Sequence, residues 1–207
     1  MIIILAVLTV SEVVELKANI EQYVKVTDSL RWQLLGMLKD GLDTSKLDEV
    51  RQLSDELRVK DSLLKLYLEE YIKVDTGCEQ FLKLLVNRYP NNPWVKLKLG
   101  TVYESMGQLE QALTYYRYVI RDYGRLVDAH IGYARVMEQL GNKREALAAY
   151  KRALSLAPKD STLYQAIIRL TPWWTKKKLI REWEIKLKFD PNNEVLKKYL
   201  EILKRGG

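Results

Sequence analysis

The sequence predicts an all-α fold, a helical solenoid preceded by a long helical hairpin or coiled coil. Two segments support this prediction: residues 93–160 repeat one pattern at an offset of 34 residues, and residues 13–37 carry an apolar heptad. A repeat of that length is typical of stacked helix pairs, and a sustained heptad is typical of paired helices. Ten glycines and five prolines in 207 residues leave few positions at which a helix would break.

The N-terminal segment, residues 1–58, is predicted to be a helical hairpin or coiled coil. Its first helix has apolar residues at alternating spacings of three and four, with a threonine as the only polar member: Val13, Leu16, Ile20, Tyr23, Thr27, Leu30, Leu34 and Met37. This spacing favours a coiled coil or an antiparallel helix pair. Gly41 is expected to end the first helix, and Thr44 or Ser45 is expected to cap the second.

Residues 1–10 form the most apolar run of the chain. The run is shorter than the about 20 residues that cross a bilayer, and it lacks the basic start of a secretory signal. Three interpretations stay open: the buried start of a long helix, a membrane-dipping anchor, or an atypical signal segment. Together with the heptad the run predicts self-association through residues 1–40, and as an anchor it would give membrane association through residues 1–10.

The repeated segment has six identical pairs at the offset of 34: Val102/Val136, Glu104/Glu138, Gly107/Gly141, Ala112/Ala146, Leu113/Leu147 and Tyr116/Tyr150. The first copy reads Leu99-Gly100-x-x-Tyr103 and then Ala112-x-x-x-Tyr116, and the second reads Tyr133-Ala134-x-x-Met137 and then Ala146-x-x-x-Tyr150. This pattern resembles the tetratricopeptide repeat (TPR) family. Small residues stand where two antiparallel helices would approach closely, and Gly107 and Gly141 stand where a helix would end.

The resemblance predicts a TPR-like solenoid over residues 59–204. In this frame 93–126 and 127–160 are full repeats, 59–92 and 161–193 are degenerate repeats, and 194–204 is a capping helix. A solenoid needs such a terminal helix to cover the core of its last repeat. In the second degenerate repeat, Thr171-Pro172 interrupts the first helix, because proline restricts the residue before it.

The composition argues against catalysis and against a bound cofactor. The chain has one cysteine, Cys78, and one histidine, His130, which excludes an internal disulfide and argues against a zinc site. It also lacks the glycine-rich motifs that hold phosphates or dinucleotides. The sequence therefore predicts that the protein is not an enzyme and has no catalytic residue, metal or cofactor.

The resemblance also implies a binding site, because in the TPR family the first helices of successive repeats line a concave groove. It places these residues in the groove: Trp94, Leu97, Thr101, Glu104, Asp128, Ile131, Arg135, Glu138, Gln165 and Arg169. Arg135 and Arg169 are one repeat apart, and arginine suits the bidentate capture of carboxylates. Glu104 and Glu138 form a parallel acidic pair, so the alternative is that the two sets of charges neutralise one another.

The leading functional prediction is a non-catalytic protein–protein interaction scaffold or adaptor that binds a partner segment in this groove. The alternative is an RNA- or anionic-membrane-binding module that uses the basic C-terminal half, where residues 91–207 hold 22 Lys and Arg against 12 Asp and Glu. Trp173 and Trp174 would supply stacking or anchoring for that alternative, but they are expected to pack in the core, which argues against it. A protein or peptide partner is therefore predicted and nucleic acid is disfavoured. The expected location is cytoplasmic, with the cell envelope or a membrane as the alternative.

Overall fold

The computed structural model describes residues 10–39, 46–74 and 78–205, and every regular element within them is helical. The chain divides into two compact units, residues 1–107 and 108–207. The predicted fold class is confirmed: the chain is all-α, with TPR-like helix pairs of a solenoid that follow a long helical hairpin in sequence. Among the described residues, no helix combines the length and the apolar character needed to cross a membrane.

The first unit contains α1 (Val10–Lys39), α2 (Leu47–Val74), α3 (Cys78–Arg88) and α4 (Pro93–Ser105). α1 packs along α2, and both α2 and α3 contact α4. The core of this unit is mostly aliphatic and includes Ile20, Val24, Leu64, Leu68, Leu82, Leu85, Val95 and Leu99. α2 runs without a break through residues 58 and 59, where the predicted domain boundary lies.

The apolar stripe of α1 faces its partner helix in this hairpin. Ile20, Thr27 and Leu30 are buried, and the other members of the stripe, Tyr23 among them, are half-buried. The predicted helix end at Gly41, the predicted caps at Thr44 and Ser45, and most of the apolar run 1–10 lie outside the described residues.

A polar network connects α1 to the start of α4. Thr27 is fully buried, and its Oγ1 accepts a hydrogen bond of 3.0 Å from Nδ2 of Asn92. The second polar atom of the Asn92 side chain, Oδ1, accepts hydrogen bonds from the backbone N–H groups of Trp94 and Val95 and so caps α4. Because an unpaired polar group is costly inside a protein, Thr27 and Asn92 satisfy each other at this position.

The second unit contains α5 (Leu109–Asp122), α6 (Val127–Gln139), α7 (Lys143–Leu156), α8 (Ser161–Leu170), a short 3₁₀ turn (Trp173–Thr175), α9 (Lys176–Phe189) and α10 (Glu194–Arg205). α6 packs on α5 and α7, α8 packs on α7, and α10 contacts both α8 and α9. The predicted repeat segment 127–160 contains α6 and α7, and the segment 161–193 contains α8 and α9.

Small residues and caps explain the helix pairs of this unit. Ala112, Ala134 and Ala146 are completely buried, which lets neighbouring helices approach closely. Gly141 follows α6 with a φ of +78°, a conformation that glycine adopts at low steric cost. Asp160 caps α8, with its side chain 2.9 Å from the backbone nitrogen of Thr162.

Candidate partner-binding surface

The predicted groove residues of α4 mostly contact their own unit. The Leu97 side chain is only 3% exposed, so the expectation that it lines an open groove is wrong. α4 packs against both α2 and α3, and Leu97 belongs to the buried core of this unit. Thr101 donates a hydrogen bond of 3.1 Å to the backbone oxygen of Leu97, and Lys65 of α2 lies over the Trp94 ring at 5.5 Å. Glu104 is half-buried.

The predicted residues of α6 occupy successive turns of one helix face. Asp128, Ile131, Arg135 and Glu138 are separated by three or four positions, the spacing that brings side chains to one side of a helix. Arg135 is exposed, and the other three are half-buried. This face therefore offers one apolar and three charged side chains at the surface of the second unit.

An ion pair joins α8 to α6 on this surface. The Arg169 guanidinium donates two hydrogen bonds to the Glu138 carboxylate, from Nη1 to Oε1 and from Nη2 to Oε2, the second over 3.1 Å. The Tyr150 hydroxyl donates to the same carboxylate at 3.4 Å. The predicted arginine and glutamate positions thus meet, and in the free protein Arg169 and Glu138 neutralise one another.

Four side chains determine the electrostatics around this ion pair: Arg135, Glu138, Tyr150 and Arg169. Burial raises the pKa of the Tyr150 hydroxyl above its usual range, the charge of Glu138 adds to the rise, and Arg135 and Arg169 oppose it. The hydrogen bonds that Arg169 donates to Glu138 raise the pKa of Arg169. The Arg169 side chain is nevertheless 60% exposed, and exposed ion pairs of this kind contribute only about 0–1 kcal/mol.

A cleft between α8 and α10 brings two predicted residues together. It has a volume of about 410 Å³ and is lined by Gln165, Ile168, Arg169, Lys198, Tyr199 and Ile202. Nε2 of Gln165 donates a hydrogen bond of 2.8 Å to the Tyr199 hydroxyl. The Tyr199 ring in turn stacks on Tyr164, with the ring centroids 5.3 Å apart. Gln165 and Arg169 are thus held on one wall by α8, and α10 forms the other wall.

The repeat pattern predicts α10 only as a capping helix, so it gives no binding role to the residues that α10 contributes to this cleft. Ile202 is exposed and lies off the buried stripe of α10, which consists of Leu196, Tyr199, Leu200 and Leu203. An apolar residue outside the core-facing stripe of an amphipathic helix was the available signal.

The tandem tryptophans contradict the sequence analysis. Trp173 is 77% exposed and Trp174 is 68% exposed, so the expectation that they pack in the core is wrong. α8 ends at Leu170, and Pro172 has an extended backbone with ψ of 142°, so the 3₁₀ turn carries both rings away from the core. Leu170 and Trp183 occupy the core instead.

The two residues that could suggest other chemistry are buried. Cys78 is 6% exposed, and His130 places its Nε2 2.9 Å from the backbone oxygen of Gly124. Within residues 10–39, 46–74 and 78–205, no group of three or more His, Cys, Asp or Glu side chains is arranged to hold a metal ion.

Part of the chain is similar in sequence to a known repeat family. Residues 97–161 match the tetratricopeptide repeat family, and no curated protein matches the chain. Among solved structures, MamA AMB-1 aligns over 95% of this chain and 93% of its own, with 17% identity and a TM-score of 0.48. MamA MSR-1 aligns over 95% and 99%, with 18% identity and a TM-score of 0.46.

Proposed function

We propose that this protein, whose residues 97–161 match the tetratricopeptide repeat family, is a non-catalytic interaction scaffold that binds a segment of a protein partner on the α6, α8 and α10 face of its second unit. The observation that carries the proposal is the cleft between α8 and α10. Two of its lining residues, Gln165 and Arg169, are positions that the repeat register assigns to a binding groove, and the cleft is large enough for one or two side chains of a peptide.

The lining of the cleft indicates the kind of segment that it would accept. Ile168 and Ile202 offer apolar contact, and Arg169 and Lys198 provide positive charge. An arginine can hold a carboxylate through two parallel hydrogen bonds, whereas a lysine acts as a point charge. A segment with an apolar side chain next to a carboxylate fits this arrangement. Its carboxylate would replace Glu138 as the partner of Arg169.

The predicted positions of α6 extend the proposed surface within the second unit. Asp128, Ile131 and Arg135 lie on the α6 face beside Glu138, and Ile131 adds an apolar contact. On α4, Trp94, Thr101 and Glu104 stay predictions of the repeat register, and the buried Leu97 is left out of the proposed contacts.

Self-association through residues 1–40 is proposed as a second property of the scaffold. Val14, Trp32 and Leu35 of α1 are all at least 47% exposed, so the hairpin leaves apolar side chains uncovered within the described residues. Light scattering on the whole chain at tens of micromolar should show an oligomer, and a monomer would contradict this property. The location proposed for the scaffold is the cytoplasm.

An affinity experiment from the native host tests the scaffold function. The tagged whole chain and its Arg169→Gln variant are used in parallel, and captured proteins are quantified by mass spectrometry. Arg152→Gln is the matched control, because Arg152 is an exposed arginine of α7 that does not line the cleft. Partners that Arg169→Gln loses and Arg152→Gln retains would support the proposal, and a partner set that neither substitution changes would contradict it.

A further inference from the structure

We propose that one end of the second unit docks on the surface of an anionic lipid bilayer. In this arrangement Trp173 and Trp174 enter the interfacial layer, and basic residues at the starts of α7 and α9 face the lipid phosphates. This property goes beyond the scaffold function and does not depend on it, because none of these residues lines the cleft between α8 and α10.

The first observation is the exposure of an aromatic pair at a turn. The Trp173 and Trp174 rings contact each other edge to face, with centroids 5.8 Å apart and planes at 88°. Both rings therefore project together as one apolar unit from the 3₁₀ turn. Two adjacent exposed tryptophans are unusual on a protein surface unless something covers them, and the bilayer interface is an environment that tryptophan favours.

The second observation is that basic residues from two helices converge beside this turn. A cleft of about 470 Å³ is lined by Lys143 and Arg144 from the start of α7, by Lys178 from the start of α9, and by Pro172 and Thr175 on either side of the tryptophans. Its floor is apolar and is formed by Leu147, Leu170 and Leu179.

Most of this positive charge is not neutralised. The one acidic residue in the lining, Glu182, pairs with Lys151 at 3.0 Å. Lys143, Arg144 and Lys178 form no ion pair with any residue in the part of the chain that the structure describes. Lys177 is also exposed beside Lys178. The surface around the tryptophans is therefore complementary to a negatively charged one.

The same features favour a lipid surface over a protein or a nucleic acid. Protein interfaces are depleted in lysine, whereas lysine around exposed tryptophan is the composition of surfaces that lie in a membrane interface. Bases of a single strand stack on successive aromatic faces, but planes at 88° do not present two faces in the same direction. A bilayer requires only that the tryptophan rings and the basic side chains reach the plane of the membrane surface together.

Vesicle flotation of the whole chain tests the proposal. Vesicles of phosphatidylcholine alone are compared with vesicles that also contain phosphatidylserine, at physiological salt. We expect binding to the anionic vesicles only, with a blue shift of tryptophan fluorescence. The double substitution Trp173→Ala and Trp174→Ala should abolish the blue shift and weaken binding by about tenfold or more. Because both rings are exposed, the thermal unfolding of this variant should match that of the wild type.

Two charge-reversal variants distinguish the loss of basic residues at the proposed surface from a general loss of positive charge. Lys177→Glu with Lys178→Glu should weaken binding by about tenfold or more, since each basic residue near an anionic surface contributes about fivefold. Negative charge at the start of α9 complements the helix dipole, so loss of binding in this variant would not reflect loss of the helix. Lys186→Glu with Lys188→Glu makes the same charge change roughly 15 Å along α9 and should have little effect.

Several results would overturn the proposal. They are the absence of binding to anionic vesicles at physiological salt, full binding by the tryptophan variant, or an equal loss in the two lysine variants. Equal binding to phosphatidylcholine alone would point instead to an apolar anchor such as residues 1–10. Filter binding to single-stranded RNA is the last arm, and salt-resistant RNA binding that the same substitutions abolish would replace the lipid surface with a nucleic acid.

Discussion

Single polar residues in the core show how far one residue can be interpreted from sequence. Thr27 interrupts an apolar stripe, and the sequence alone marks it as an exception without giving its partner. The structure supplies that partner, the Asn92 side chain at 3.0 Å, which lies 65 positions away along the chain. A heptad predicts which face of a helix is buried, but it carries no information about a distant side chain that meets that face.

We predict that Thr27→Val destabilises the protein although it preserves the shape of the side chain. The substitution leaves the Asn92 amide without its buried acceptor, at a cost of about 1–3 kcal/mol. Chemical denaturation measures the change. Thr114→Val is the control, because the Thr114 hydroxyl, like that of Thr27, donates to a backbone oxygen of its own helix but lies at an exposed position. Equal effects of the two substitutions would contradict the role given to Asn92.

Asp28 provides a test that depends on pH. Burial raises the pKa of this carboxyl above its ordinary value of 3.8, an effect that Arg31 and a hydrogen bond with Trp32 oppose. The ionised form is thus disfavoured in the folded state. The free-energy cost of ionising Asp28 in the folded protein is fully present above the pKa of the folded state. It disappears as the pH falls to the pKa of the unfolded state.

We therefore expect Asp28→Asn to stabilise the protein at pH 7 and to lose this advantage as the pH falls towards 3.8. The quantity to measure is the difference in the free energy of unfolding between the variant and the wild type, because the other carboxyl groups then cancel. A difference that does not change with pH would show that burial of the Asp28 charge is not the cause.

At the scale of helices, the repeat register predicted most of the architecture of the second unit and failed where neighbours decide exposure. The packed pair α6–α7 lies within the predicted repeat segment 127–160, and the helices α8 and α9 lie within the segment 161–193. The register places Leu97 in a groove, but the residue is buried on a helix that packs against both α2 and α3. The tryptophans were assigned to the core by their hydrophobicity, but the turn after Pro172 carries them outward.

Helix packing in the second unit depends on the absence of a side chain at Gly132. A Cβ atom built there would lie 2.4 Å from Cζ of the buried Tyr116 ring. Gly132→Ala should therefore destabilise the protein by about 1–3 kcal/mol through overpacking, although alanine favours the helix itself. Gly36→Ala is the control within α1, since nothing lies within 4 Å of that Cβ position. Gly36→Ala should stabilise the protein by about 0.5–1 kcal/mol. A higher melting temperature for Gly132→Ala than for Gly36→Ala would contradict the close packing of Tyr116 on Gly132.

The frame of the second repeat is tested at Ala146, which is completely buried on α7. Ala146→Leu should destabilise by about 1–3 kcal/mol, because a close-packed core has no room for three further carbon atoms. Ala148→Leu adds the same atoms at an exposed position of the same helix and should have little effect. An unchanged melting temperature for Ala146→Leu would contradict the assigned frame.

At the scale of the whole molecule, composition indicated where to look but not which surfaces would form. Residues 91–207 carry most of the positive charge, and the proposed peptide-binding and membrane surfaces both lie in the second unit. The peptide-binding surface uses Arg135 and Arg169, whereas the membrane surface uses the tryptophans and the basic residues at the starts of α7 and α9. The sequence predicted the arginines through the repeat, but the contribution of α10 depends on how that helix packs on α8 and was not predicted.

The measurement that most directly tests the scaffold claim is the selection of binders to the whole chain from a random peptide library, followed by calorimetry. We expect selected peptides to combine a carboxylate with an apolar side chain. Arg135→Gln with Arg169→Gln should weaken their binding by about tenfold or more, the loss expected for a hydrogen bond to a charged group. Lys177→Glu with Lys178→Glu should leave it unchanged. A library that yields no binder, or peptides whose affinity the arginine substitutions do not alter, would contradict the account.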